Sequence, residues 1–150
     1  LQKKFGPFEA AVGHSLGGMS LLNSVKRRLK INRLVTIGSG DIIQDIIDEF
    51  IERLELKPKV GVLMRNHFEK TRHETMDEYS SWRAAAEIEI PVLVIHDEDD
   101  AEVSVKCAKH IHENLKNGEL MLTRGLGHRK ILGSTDVIGK TFRFITGNNV

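Results

Sequence analysis

Phe8-Glu9-Ala10-Ala11-Val12-Gly13-His14-Ser15-Leu16-Gly17-Gly18 is the stretch whose reading decides the fold. Residues 8–12, after the punctuation of Gly6-Pro7, form a short apolar run that predicts a buried strand. Met19, Leu21, Leu22, Val25 and Leu29 then recur at helical spacing, and the basic stretch Lys26 to Lys30 suits the C-terminal end of that helix. The residues between must turn sharply from strand to helix. Gly13 and Gly17 stand two before and two after Ser15, where a Cβ at either would collide as the helix packs back on the strand. Ser15 is thereby presented on a rigid, exposed point, as a weak hydroxyl nucleophile requires if a base is to reach it. The helix N-terminus offers free N–H groups, Leu16's first, to an oxyanion developing on the attacked carbonyl. A phosphate-cradling turn would need G-x-G-x-x-G or a Gly-Lys-Ser/Thr ending, and neither is present.

Further strands follow at Arg33–Ile37, Pro91–His96 and Glu119–Thr123. The near-continuous aliphatic content of Pro91-Val92-Leu93-Val94-Ile95 is that of a parallel strand covered on both faces. Helices are predicted over Val103–Leu115 and Thr135–Ile145, so strands and helices alternate and the class is α/β with a parallel sheet. No strand is visible in residues 41 to about 87. There Ile42, Ile43, Ile46, Ile47, Phe50, Ile51 and Leu54 predict an amphipathic helix that Pro58 ends. A second helix is expected over about 60–70, and Thr75-Met76-Asp77-Glu78 fits a capping box opening a third through Ala86. A helical insertion between two strands of such a sheet is a cap by position; an overlong crossover is the plainer alternative.

The base and acid should come from loops at the C-terminal ends of the later strands, where α/β sheets assemble their sites. His128 lies in the glycine-flanked loop Gly125-Leu126-Gly127-His128, read as able to swing its imidazole over Ser15. The acid that would fix its tautomer is one of Asp97, Asp99, Asp100 and Glu102.

The segments GHSLGG, PVLVIHDEDD and GLGHRKIL, in this order, resemble the α/β-hydrolase superfamily, especially bacterial esterase-like members with a helical cap between the sixth and seventh strands. That resemblance implies Ser15 as nucleophile, His128 as base and the Leu16 N–H as one oxyanion donor. The family's H-G-x-x-D pattern lands on Asp100 as the acid, with Asp97 in place of the usual glycine and Asp99 in reserve. It also implies that the chain supplies only the family's fifth to eighth strands. The second oxyanion donor, from the loop after the third strand, then falls outside it, a loss of roughly 10²–10³ in rate. The strand at 8–12 becomes an apolar edge with unpaired backbone groups, so the chain is expected to form a homo-oligomer through it or to be part of a longer protein. The expected activity is hydrolysis of a small acyl substrate, with no cofactor and no metal; a catalytically impaired scaffold or binding module is the alternative.

Composition excludes other classes. Among 150 residues, 22 Lys+Arg against 21 Asp+Glu give no net field directed at nucleic acid or an anionic membrane. The single cysteine, Cys107, rules out an internal disulfide framework and suits a reducing compartment, so the cytoplasm is expected. His14 and Ser39 are read as lining the site. His110 and His112 are read as solvated helix face, the Cys107–His110 pair as too few ligands for a metal, and His67 and His73 as solvated. Trp82 and Tyr79 are read as packing for the insertion.

Overall fold

The computed structural model describes residues 2–6 and 8–147; Pro7 lies outside the described residues. Strands β1 (Ala10–His14), β2 (Arg33–Ile37), β3 (Val92–Asp97) and β4 (Gly118–Thr123) form one sheet in the order β1-β2-β3-β4. All three pairings are parallel. The α-helices are α1 (Gln2–Phe5), α2 (Leu16–Lys26), α3 (Ile43–Arg53), α4 (Pro58–Arg72), α5 (Ser81–Glu87), α6 (Val105–Asn114), α7 (Gly127–Lys130) and α8 (Thr135–Thr146). Turns of 3₁₀ helix cover Met76–Tyr79 and Ile131–Gly133.

Period-two alternation divides the central strands between two cores. Leu34, Val92 and Val94 face one side with Leu22, Ala84, Ala85, Ala108 and Ile111 of α2, α5 and α6. Val35, Ile37, Leu93 and Ile95 face the other with Ile131, Val137 and Phe144. Every residue of β3 is buried, as its aliphatic run predicts. A third cluster, Ile47, Ile51 and Met76 with Val60 and Phe68, holds the insertion together.

β1 runs two residues later than predicted. Its register pairs Ala10 with Arg33 and His14 with Ile37, so β2, not the apolar content of residues 8–12, sets its limits. Only Lys26 of the basic stretch falls in the last turn of α2, because Arg28 leaves the helix at φ 74. The expected capping box at Thr75 does not form. Met76 N–H donates instead to Glu69 Oε1 at 3.1 Å, a 3₁₀ turn follows, and Ser80 at φ −61, ψ 140 breaks the segment before α5. The expected insertion boundary near residue 87 takes in α5, which packs in the sheet layer between α2 and α6. The helix over 127–130 had no apolar periodicity to announce it.

The crossing of α2 over β1 corrects the expected glycine roles. A Cβ on Gly13 would lie 2.6 Å from Gly17 O and 2.7 Å from Gly18 N, so only glycine fits. A Cβ on Gly17 would meet nothing within 4 Å, whereas one on Gly18 would lie 2.8 Å from Ser39 Oγ and 3.3 Å from Gly13 O. The second obligatory glycine is therefore Gly18, one residue past the motif. Gly13→Ala and Gly18→Ala are expected to destabilise by more than about 2 kcal/mol, since backbone must move. Gly17→Ala should be neutral or stabilising by up to about 1 kcal/mol. Urea denaturation midpoints of the three variants check this order.

Candidate active site

β1 ends at His14 and α2 begins at Leu16, so Ser15 alone makes the turn. Its backbone sits at φ 54, ψ −125, a conformation that costs an L-residue roughly 1–3 kcal/mol. Ser15 N–H donates to Ile37 O at 2.9 Å and Ser15 O accepts from Gly18 N–H at 3.0 Å, which locks both flanks of the turn. Because Leu16 opens α2, its N–H has no intrahelical partner and remains available to a bound anion.

Asp100 and His128 are brought together across 28 residues. His128 Nδ1–H donates to Asp100 Oδ2 at 2.7 Å, with side chains 6% and 1% exposed. Burial alone would raise the Asp100 carboxyl. The N–H groups of Val103 and Glu102, at 2.9 and 2.8 Å, and the His128 ring outweigh it and hold Asp100 below the ordinary carboxylate range. His96, fully buried, stands on the other side of the same oxygen at 3.4 Å, while its Nε2–H donates to Val103 O. With Nδ1 committed to Asp100, Nε2 is the His128 nitrogen left for proton exchange. Ser15 Oγ makes no hydrogen bond among the described residues.

His128 does not swing in a loop. It is buried in α7, and its ring lies on the backbone of Gly38, where a Cβ would come within 3.2 Å of Nδ1. His14, the residue before Ser15, holds it as well. His14 Nε2–H donates to His128 O at 2.8 Å, and the two rings are 4.6 Å apart, a contact that chain distance conceals. Ser39 is not an open lining residue. It is buried, its Oγ donates to Gly40 O, and its side chain fills the space over Gly18.

Asp99, the reserve acid, is turned away from His128 and accepts from Gly125 N–H at 2.9 Å. Asp97 is fully buried and accepts from Thr123 Oγ1 at 2.7 Å, Leu126 N–H at 3.1 Å and Asp99 N–H at 3.0 Å. Burial opposes its ionisation, but Thr123 and the N–H groups of Gly127, Leu126 and Asp99 hold it below the ordinary range. Its φ is not left-handed, so the usual glycine is not required there.

Residues 69–145 match the model of the TAP-like protein family, a span of just over half the chain. The chain belongs to this family of α/β hydrolases. Solved structures agree on the fold. An α/β-hydrolase enzyme from a Medee basin deep-sea metagenome library superposes with a TM-score of 0.68 at 19% identity, covering 99% of this chain and 69% of its own. An esterase from Rhodococcus sp. ECU1013 gives 0.61 at 16%, covering 91% and 64%. A bromoperoxidase from Bacillus anthracis gives 0.61 at 14%, covering 93% and 67%. The chain thus spans about two thirds of the length of the structures it resembles. Among curated proteins none matches it.

In this TAP-like chain several residues set aside on sequence make defined contacts. His110 is not merely solvated: its Nδ1 bonds the buried Asp41 carboxylate, and its ring lies 5.7 Å from that of Trp82. Asp41 also accepts from Trp82 N–H at 2.8 Å, and burial raises its carboxyl. Ser81 N–H donates to Asp41 O at 2.8 Å and Ser81 Oγ to Gly40 O at 2.7 Å, so both necks of the insertion are tied together. Burial pushes the Cys107 thiol up to about 11, which leaves it unreactive at neutral pH. Tyr79 packs edge-on against Phe68 within the insertion, while His67 and His73 are exposed. Among the described residues no helix is long and apolar enough to cross a membrane.

Ser15→Gly removes the strain of φ 54 and should be more stable than Ser15→Ala by about 1 kcal/mol, read as a shift in Tm of a few degrees. Asp97 and Asp100 have folded pKa values below the unfolded value of about 3.9, so their contribution is full above that pH and is lost as pH falls through the folded values. The urea midpoint should therefore drop below about pH 4, and drop less in Asp100→Asn.

Proposed function

We propose that this chain carries the catalytic residues of a serine hydrolase acting on a small acyl substrate, with a carboxylic ester as the substrate class. The observation that carries this reading is the buried His128–Asp100 hydrogen bond, 2.7 Å long, at the sheet edge where Ser15 is held in its strained turn. In the proposed reaction His128 Nε2 takes the Ser15 hydroxyl proton as Oγ attacks the ester carbonyl. The Leu16 N–H faces the oxyanion. His128 then returns the proton to the leaving alcohol, and water, activated the same way, releases the acyl group. Asp100 keeps the proton on Nδ1 and stabilises the imidazolium.

The helices over 43–72 are the proposed cap. Ile46, Phe50 and Leu54 form a half-exposed row along α3, and Ile46 packs on Gly40, two residues beyond the Gly38 that carries His128. That row favours an apolar acyl or alcohol moiety. No cofactor enters the proposed reaction, and the cytoplasm is the proposed location.

One observation favours a second reading, an impaired scaffold. Glu9 O and Ser15 N face β2, so the N–H and C=O of Ala10, Val12 and His14 point outward along an edge unpaired among the described residues. A second copy is the proposed partner for that edge. A monomer in solution whose Val12 amide exchanges slowly would overturn that pairing.

Labelling by a fluorophosphonate probe separates the two readings. The wild type should label, Ser15→Ala should not, and His128→Ala or Asp100→Asn should label on the order of 10³-fold more slowly. Asp99→Asn, which keeps a side-chain oxygen for the Gly125 N–H, should behave like the wild type. Folded protein that resists the probe would leave the scaffold reading.

A further inference from the structure

We propose that Asp97 is a positioning residue that sets the turn of the acid and the loop of the base with one buried carboxylate. This role rests on those proposed for Asp100 and His128. Asp97 stands where the resembled motif has glycine, and a glycine has no side chain with which to accept a hydrogen bond.

A fully buried carboxylate is tolerated only when its oxygens are taken up by donors. Those of Asp97 are divided between the two halves of the site. Oδ1 accepts from Asp99 N–H at 3.0 Å, and Asp97 O accepts from Asp100 N–H at 3.2 Å. Together they close the turn that lifts the Asp100 side chain off the end of β3. Oδ2 accepts from Thr123 Oγ1 at 2.7 Å, at the end of β4, and from Leu126 N–H at 3.1 Å. Gly127 N–H adds to holding this carboxyl below its ordinary range. Leu126 and Gly127 are the two residues before His128, and Gly127 opens α7. An amide bonded to a carboxylate two residues before His128 fixes the loop there, and charge makes that bond stronger than a neutral one. Asp99 reinforces the same loop through Gly125 N–H at 2.9 Å. His128 Nδ1 and Asp100 Oδ2 are therefore held at 2.7 Å by a second acid that touches neither.

Three measurements on the full chain test this. The His128 Nδ1–H proton should give a downfield NMR resonance, assigned by its loss in His128→Gln. It should be lost or broadened in Asp97→Asn and Asp97→Gly that still unfold cooperatively, and remain in Thr123→Val, which keeps the carboxylate on the loop. Fluorophosphonate labelling of the Asp97 variants should slow by about 10–100-fold, and in ester hydrolysis kcat, not KM, should carry the loss. In the wild type the Leu126 amide should exchange as slowly as those of β3. Folded Asp97 variants that keep the resonance and label at the wild-type rate would overturn the inference. Loss of the resonance in Thr123→Val as well, or its absence in the wild type, or fast exchange at Leu126, would do the same. If the resonance responds as expected but the wild type never labels, the positioning role stands and the hydrolase reading falls.

Discussion

The crossing of α2 over β1 at Gly13 is the constraint on which the molecule depends. A Cβ there would sit 2.6 Å from the backbone of Gly17, so strand and helix can meet this closely only without side chains. Because the crossing is so tight, the chain has a single residue in which to reverse direction, and that residue is Ser15 at φ 54. The strain is sustained from outside the turn: Ile37 O fixes the Ser15 amide, and the buried Ser39 side chain fills the space above Gly18. Packing around two glycines thus stores local strain at one hydroxyl.

The other end of the site depends on electrostatics. β3 ends in His96 and Asp97, and Asp100 comes one turn later, so two carboxylates and an imidazole leave water together. Each carboxylate stays ionised through amides and hydroxyls gathered around it, against the penalty of burial. They divide their contacts: Asp100 meets the ring of His128, Asp97 the backbone that precedes it.

Much of the architecture is legible in the sequence because it rests on local signals. The aliphatic run of β3 and the exact span of β2 are visible as short apolar stretches, and strand–helix alternation fixes the parallel sheet. The serine turn and the order of acid and base are visible as spacing. The features that sequence hides depend on contacts between distant segments. Which glycine faces a side chain depends on where Ser39 lies, so spacing alone assigns to Gly17 the part that Gly18 plays. The contact of His14 with His128 spans 114 positions and leaves no periodic trace. Asp97 is visible only as a departure from a motif, because its three side-chain donors come from three separate segments.

The paired necks of the helical insertion bear on how such a protein can change. Gly40 and Asp41 are hydrogen-bonded to Ser81 and Trp82, and His110 of α6 braces the same carboxylate. The ends of the long intervening segment are thereby held together by groups that belong to the sheet layer. Loop-closure entropy grows only slowly with length, and most of it is already met at this clasp. Changes in the length of α3 and α4 would therefore add little to the closure entropy of the segment.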